Sequence, residues 1–276
     1  MTVSVVIVSY NASADLARCL DSLVAAPPTR LQDFVVVDNG STDGAPDIVE
    51  SRFPLVRVMR AGANLGFSRA NNLGIRHTTG DLILLLNPDT IVPAGAVDRL
   101  AERLEALPAA AAIGPRLVDA RGRLELSWGP SPGPVAEWFQ KTRTALHARG
   151  VQWVTGRLDA AARRERAVAW VSGTCLLVRR ADAEAVGLLD ERYFLYWEDV
   201  DFCAALRARG RAVIFSPVAE VVHARGRSGV DRGAFIEGHY RRGQLAFYAK
   251  HRPFWAGPLR LFLRVTGRLP TAADRL

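Results

Sequence analysis

Seven residues near the N-terminus, Val3 to Ser9 (VSVVIVS), form an unbroken β-rich apolar run, and a second run, Phe34 to Val37 (FVVV), follows. A strand that is apolar on both faces needs cover from two sides, as the strands of a parallel sheet do. Between the runs, Leu16, Leu20 and Leu23 fall at helical spacing behind Asp15. The segment therefore reads as a βαβ unit. The alternation continues with Asp47 to Arg52 as a short helix, Val56 to Met59 as a strand, Phe67 to His77 as a helix and Leu82 to Leu86 as another buried strand. The implied fold class is α/β, a doubly wound, mostly parallel twisted sheet flanked by helices. Such a sheet offers ligands a crevice beyond the carboxyl ends of its strands.

Further along, a helix is expected near Gly95 to Leu107 and a strand near Ile113 to Val118. Residues 128 to 168 mix Pro130, Pro132 and Pro134 with Trp128, Trp138 and Trp153, and neither period dominates. That segment reads either as an excursion over a substrate site or as an irregular surface loop. Regular structure resumes with a strand over Val168 to Val178, a helix over Asp199 to Arg209, and strands near Ala212 to Phe215 and Glu220 to His223.

At 276 residues, 49% hydrophobic and 23% charged, the chain has ample apolar content for a core, which excludes a disordered or low-complexity architecture. The net charge of +8 is uneven. Residues 207 to 276 hold 14 basic groups against 4 acidic ones, and Lys141 and Lys250 are the only lysines in the chain. Guanidinium groups suit phosphate, although an arginine-rich genome accounts for the same bias. Cys19, Cys175 and Cys203 lack metal-site spacing and read as reduced core thiols. Met1 to Tyr10 has no basic region of a signal peptide, and no stretch reaches the ~18 apolar residues of a spanning helix. The expectation is a cytoplasmic protein, soluble or peripheral on the inner face of the membrane.

Polar groups cluster where strands end. Ser9-Tyr10-Asn11 closes the first strand, Asp38-Asn39-Gly40-Ser41 the second, and Asn87-Pro88-Asp89 the strand from Leu82. Asp38 is placed to accept hydrogen bonds from a ribose or a base on which Tyr10 stacks, and an Asp there also serves as a turn cap. Asp89 is a candidate ligand for Mg²⁺ or Mn²⁺, since hard cations take carboxylate and phosphate oxygens. His223, ending the apolar run Ala219 to His223 before the Gly- and Arg-rich loop Ala224 to Gly229, is a second candidate ligand. In Tyr193-Phe-Leu-Tyr-Trp-Glu-Asp-Val-Asp201, an apolar stretch leads into three carboxylates within four positions. Apolar surroundings raise a carboxylate pKa and exclude water, as a general base requires. Acidic residues at a helix start also complement its dipole.

Taken in order, VSVVIVSYN (3 to 11), VVVDNGSTDG (35 to 44), NLGFSRANNLG (64 to 74), LLLNPDT (84 to 90), WVSGTCLLVRR (170 to 180) and FLYWEDVDFCAALRARG (194 to 210) resemble the family 2 glycosyltransferases. The likeness is narrower toward the bacterial rhamnosyltransferase and galactofuranosyltransferase-like branch. It implies the GT-A fold, a Rossmann-like sheet, over residues 1–232, with a nucleotide-sugar-binding half at 1–118 and an acceptor-binding and catalytic half at 119–232. A basic amphipathic helical extension would occupy 233–276. By the same resemblance, Tyr10, Asn11 and Asp38 contact the donor's base and ribose, and Asn64, Gly66 and Arg69 line the donor pocket. Asn87 and Asp89 stand where the family carries its Asp-x-Asp motif, and His223 completes the metal site. Asp199 takes the place of the catalytic base, with Glu198 beside it. Asn87, where many relatives carry Asp, removes one charge from the cation site.

The reaction so implied is an inverting single displacement with Mg²⁺ or Mn²⁺. The donor expected first is dTDP-rhamnose, then a UDP-sugar. The acceptor is a saccharide or lipid-linked saccharide of cell-surface polysaccharide synthesis, and no nucleic acid is involved. A non-catalytic nucleotide-sugar-binding protein is the alternative, as is a nucleotidyltransferase, which would carry a Gly-rich basic loop where this chain has Tyr10-Asn11-Ala12-Ser13. Near the C-terminus, Arg260, Arg264 and Arg268 recur every four residues beside Leu259, Phe262, Leu263 and Leu269. This pattern predicts a helix lying on an anionic membrane, or packed on the catalytic domain with a solvated arginine face.

Overall fold

The computed structural model describes residues 1–224 and 233–270. Strand β1 (Val3–Ser9) is followed by α1 (Ser13–Val24), β2 (Leu31–Asp38), α2 (Ala45–Arg52), β3 (Arg57–Arg60), α3 (Phe67–Arg76) and β4 (Leu82–Leu86). Then come β5 (Thr90–Ile91), α4 (Ala96–Glu105), β6 (Ala110–Val118), β7 (Leu124–Glu125) and β8 (Trp128–Gly129). Two helices, α5 (Pro134–Ala148) and α6 (Gln152–Ala161), lead to β9 (Arg166–Val168), β10 (Trp170–Val171), β11 (Cys175–Arg179) and α7 (Arg180–Ala185). The described chain closes with α8 (Glu198–Ala208), β12 (Ala212–His223), α9 (Gly233–His251) and α10 (Pro253–Val265).

The main sheet runs β3-β2-β1-β4-β11-β6-β12-β5. Strands β3, β2, β1 and β4 are parallel, β11 inserts antiparallel between β4 and β6, and β6 and β12 are again parallel. The continuous apolar runs follow from burial on both sides. Val5 and Ile7 of β1 and Leu84 of β4 join one core with Leu16, Leu20 and Leu100, whereas Val6, Ile83 and Leu85 join the other with Ile75, Phe202 and Leu206. All three cysteines are free and buried in these cores, as expected of reduced thiols.

Three expectations are corrected. Residues 128–168 are not a loop, because Val154 and Leu158 of α6 give the stretch enough apolar contact to join the second core. The expected strand Val168 to Val178 is divided: β9 ends at Val168 beside β12, β10 pairs with β8 in a separate two-stranded sheet, and β11 starts at Cys175 after Gly173 has donated its N–H to Asp199 of α8. Helix α10 ends at Val265. Gly267 takes φ +66°, and Arg268 lies beyond the helix with its N–H on the Leu263 carbonyl. The arginine stripe therefore stops at Arg264. Leu263 is buried, while Leu261, Phe262 and Val265 are exposed. Among the described residues no helix is long and apolar enough to cross a membrane.

Candidate active site

The crevice begins where β1 and β2 end side by side, with Ser9 in register with Asp38. Asp38 is buried, and both of its carboxylate oxygens accept the Ser41 N–H at 3.3 Å. Asn11 adopts φ +49°, and its side-chain oxygen accepts the Thr42 N–H at 2.8 Å, so the two strand-end turns are stitched together. Tyr10, half-buried, ends this edge. Asn39, not singled out in the sequence, organises the next wall: its amide donates to the Asn64 side chain at 2.9 Å, and its oxygen accepts the Leu65 N–H at 2.8 Å. Asn64 thus serves as a brace, also accepting the Gly66 N–H at 3.0 Å. Arg69 is exposed and turned to Glu191 at 3.5 Å.

Gly66 sits at φ +79° and ψ 178°, a region essentially reserved for glycine. A Cβ there would lie 2.6 Å from both the ring and the carbonyl of Phe194. The same carbonyl accepts the Phe67 N–H at 2.6 Å. This close approach joins the loop at Asn64 to Gly66 to the aromatic stretch that precedes α8.

Pairing of β5 with β12 sets His223 opposite Thr90, and the Ala224 N–H donates to the Asp89 carbonyl at 2.8 Å. His223 Nε2 therefore lies 3.2 Å from Asp89 Oδ2, while Nδ1 lies 3.0 Å from Glu125 Oε1. Glu125 carried no sequence signal, because its two-residue strand is too short for a pattern. Of the loop expected after His223, Arg225 to Gly229 lie outside the described residues. Burial opposes charge on the imidazole, but the hydrogen bonds its N–H groups donate to Asp89 and Glu125 outweigh it and raise the pKa from 6.5 to about 9. A raised pKa stabilises the folded state fully below pH 6.5, and that contribution fades as pH climbs through about 9. Melting curves of EDTA-treated wild type and His223→Gln should accordingly converge above pH 9. Parallel curves from pH 6 to 10 would show that the pair has no such role.

Among the described residues no three His, Cys, Asp or Glu side chains converge to hold a metal by themselves. Asp89 and Glu125 approach opposite nitrogens of His223. This donor set, one carboxylate and one imidazole backed by a second carboxylate, fits a cation that draws its remaining ligands from a diphosphate and water.

Beside this turn lies the carboxylate pair. Tyr196 and Trp197 both adopt left-handed backbone, φ +69° and +73°, which turns the chain sharply into the N-terminus of α8. Gly243 of α9 lets that turn approach, since a Cβ there would lie 2.7 Å from the Tyr196 carbonyl oxygen. Glu198 and Asp199 line a cavity of about 490 Å³ together with Lys141 of α5, Trp170 and Tyr240 of α9. Asp199 accepts N–H groups from Gly173 at 3.0 Å and Val200 at 2.8 Å, whereas Glu198 Oε2 is buried with no hydrogen-bond partner. Burial raises the pKa of both groups. The charge of Asp199 adds to the effect on Glu198, while the backbone N–H groups oppose it at Asp199. The two environments differ: two backbone N–H groups favour the charged form of Asp199, and no donor faces Glu198 Oε2. Asp201 faces away, as its offset on the helix predicts, and binds α9 instead.

The turn and the pair are linked through one peptide unit. The Asn87 N–H donates to the Thr174 carbonyl at 2.9 Å, and the preceding residue, Gly173, donates to Asp199. Polar strand ends and a candidate cation turn are thus held next to a buried carboxylate pair on this sheet.

The sequence model described as glycosyl transferase family 2 matches residues 4–187, and the chain belongs to that family. The matched stretch stops short of Glu198, Asp199 and His223. The chain is 34% identical over 273 residues to the N-acetylglucosaminyl-diphospho-decaprenol L-rhamnosyltransferase of Mycobacterium tuberculosis, covering 94% of this chain and 88% of that protein. A low-salt glycan biosynthesis hexosyltransferase of Haloferax volcanii is 24% identical, over 80% of this chain and 66% of its own length. Among solved structures, GalNAc-T7 with UDP, GalNAc and Mn²⁺ superposes with a TM-score of 0.65 at 18% identity, covering 90% of this chain and 50% of that one. A mannosyltransferase of Pyrobaculum calidifontis in complex with GDP-Man and Mn²⁺ gives 0.60 at 20% identity, covering 93% of this chain and 67% of that one. These likenesses establish the fold.

Proposed function

We propose that this glycosyltransferase moves rhamnose from dTDP-rhamnose, with inversion, to a hydroxyl of a lipid-linked saccharide during cell-surface polysaccharide synthesis. The observation that carries the reading is the Asn87–Thr174–Gly173–Asp199 link, which fixes a candidate base one peptide unit from the diphosphate turn. The choice of sugar and acceptor is supported by the near full-length likeness to the mycobacterial rhamnosyltransferase.

In this mechanism Tyr10, Asn11 and Asp38 hold the base and ribose, and Arg69 reaches the donor by exchanging its ion pair with Glu191. Asp89 and His223 would hold Mg²⁺ or Mn²⁺, which when bound offsets charge on the departing nucleoside diphosphate. Asp199 accepts the proton of the acceptor hydroxyl as its oxygen bonds to the anomeric carbon and the bond to the diphosphate breaks. Protonated Glu198 keeps a second negative charge out of the cavity. Residues 1–118 bind donor, 119–232 bind acceptor and supply the base, and α9 and α10 form the helical extension beyond them. The exposed Phe254, Leu261, Phe262 and Val265 of α10, beside Arg260 and Arg264, suit a peripheral position on the anionic inner face of the cell membrane.

The experiment is transfer from a panel of nucleotide sugars to a GlcNAc-diphosphate-lipid. The expected result is turnover with dTDP-rhamnose that stops in EDTA and returns with Mn²⁺ or Mg²⁺. Turnover with UDP-sugars alone would replace the donor, full activity in EDTA would remove the cation, and no turnover with any donor would favour the non-catalytic reading.

A further inference from the structure

A second hollow, of about 530 Å³, opens between α5, α9 and α10, and Glu137 and Lys141 line both it and the cavity of Glu198 and Asp199. The two spaces therefore share a wall. Its lining combines the cations Lys141, Arg241 and Arg268 with the apolar Trp138, Trp255, Leu259 and Phe262. An amphiphile with an anionic head matches this mixed lining, and neither an apolar ligand nor a free anion uses both parts of it.

Lys141 and Arg268 are not used up internally. Glu137 is occupied by donation from Gln244 Nε2 at 2.6 Å and from the Tyr248 hydroxyl, so its pair with Lys141 is loose at 3.7 Å. Arg241 is buried and held in place by Glu237 at 2.7 Å and the Gln244 oxygen at 2.9 Å. Arg268 makes no ion pair among the described residues, because the turn at Gly267 carries it past the helix end and toward the hollow. Burial depresses the Lys141 pKa, and the positive charges of Arg241 and Arg268 push in the same direction while Glu137 and Glu237 oppose. Like charges gathered in one lining are stabilised by an anion between them. The apolar side continues outward to the exposed Trp138 and Phe262, giving a chain a path away from the protein.

We infer that this hollow receives the diphosphate and first prenyl units of the acceptor, with the diphosphate on Lys141 and Arg268 and the chain along Trp138, Trp255 and Phe262. The inference rests on the proposal of a lipid-linked acceptor. It adds where the linker binds, so that the sugar crosses the shared wall to reach Asp199.

Farnesyl diphosphate serves as a water-soluble probe, and quenching of tryptophan fluorescence reads its binding, with farnesol and inorganic pyrophosphate as separate arms. Expected is saturable binding of farnesyl diphosphate, at least tenfold tighter than either part alone and weakened about tenfold or more in K141Q/R268Q. Farnesol binding should stay the same in that variant, and its melting temperature should match wild type. Should W138A distort α5, W255A tests the apolar side independently, with loss of farnesol and farnesyl diphosphate affinity together. Absence of binding to wild type, or equal affinity in K141Q/R268Q, would overturn the inference. If the binding pattern holds while no lipid-linked acceptor is glycosylated, the anion site stands and the acceptor reading falls.

Discussion

Replacing Asp199 with Asn should lower sugar transfer by roughly 10²- to 10⁴-fold, the usual worth of a positioned general base, while nucleoside diphosphate affinity changes little. The geometry gives the reason. Asp199 is the member of the pair whose charge is held by two backbone N–H groups, and it lines the cavity an acceptor must enter. An asparagine offers one oxygen to those two donors, so one N–H loses its acceptor at about 1 kcal/mol, too little to account for the loss of rate. Glu198→Gln should be mild, since a buried protonated carboxyl and an amide are close in shape and charge. The comparison is single-turnover transfer for both variants, with donor product titrated separately. If Asp199→Asn turns over normally while Glu198→Gln is dead, the two roles are exchanged. If both remain active, the base lies elsewhere.

Asp201→Ala should be the most destabilising single change in this region, at about 3 kcal/mol, because it removes the charge from a buried cluster. Asp201 accepts the Tyr193 hydroxyl at 3.0 Å, Lys250 Nζ at 2.8 Å and His251 Nε2 at 2.7 Å. These bonds clamp the end of α9 to α8, next to the aromatic packing of Tyr193, Trp197, Phe247 and Tyr248. Lys250 retains Asp190 at 2.9 Å after the change, which keeps the cost at the lower end of the range for a broken buried pair. For a chain of this size the melting temperature should fall by roughly 6 to 12 °C. A scan within 2 °C of wild type would mean that the aromatic contacts alone hold α9.

The two lysines of an otherwise arginine-based chain both lie at these sites, Lys250 in the clamp and Lys141 on the wall between the two cavities. Their rarity was visible in the sequence, but their roles were not. Lys250 acts on Asp190 and Asp201, which are remote in the chain, and Lys141 takes its place from the cavities that α5 lines; composition carries no information about either.

What the sequence by itself determined is the set of features that depend on near neighbours. The strands from Val3 and Leu82 and the helix from Phe67 were legible because side-chain period and burial on both faces are local properties, and their bounds agree with the structure to within a residue. Asp38, Asp89 and Asp199 stood out because each lies at the end of an apolar element, where a carboxylate can face a ligand as well as cap a turn or a helix. Tertiary structure alone decided what those residues touch. The pairing of β5 with β12 brought His223 to Asp89, and a two-residue strand supplied Glu125. The break at Gly173 gave Asp199 its N–H donor and so separated it from Glu198, although both are carboxylates in the same turn. Residues 128–168 showed no period because α5 presents no fully buried face and builds cavity walls instead. Periodicity reports which side of an element meets a core. It is silent where an element lines a cavity, and there the choice rests on long-range hydrogen bonds and charge that only the folded chain brings together.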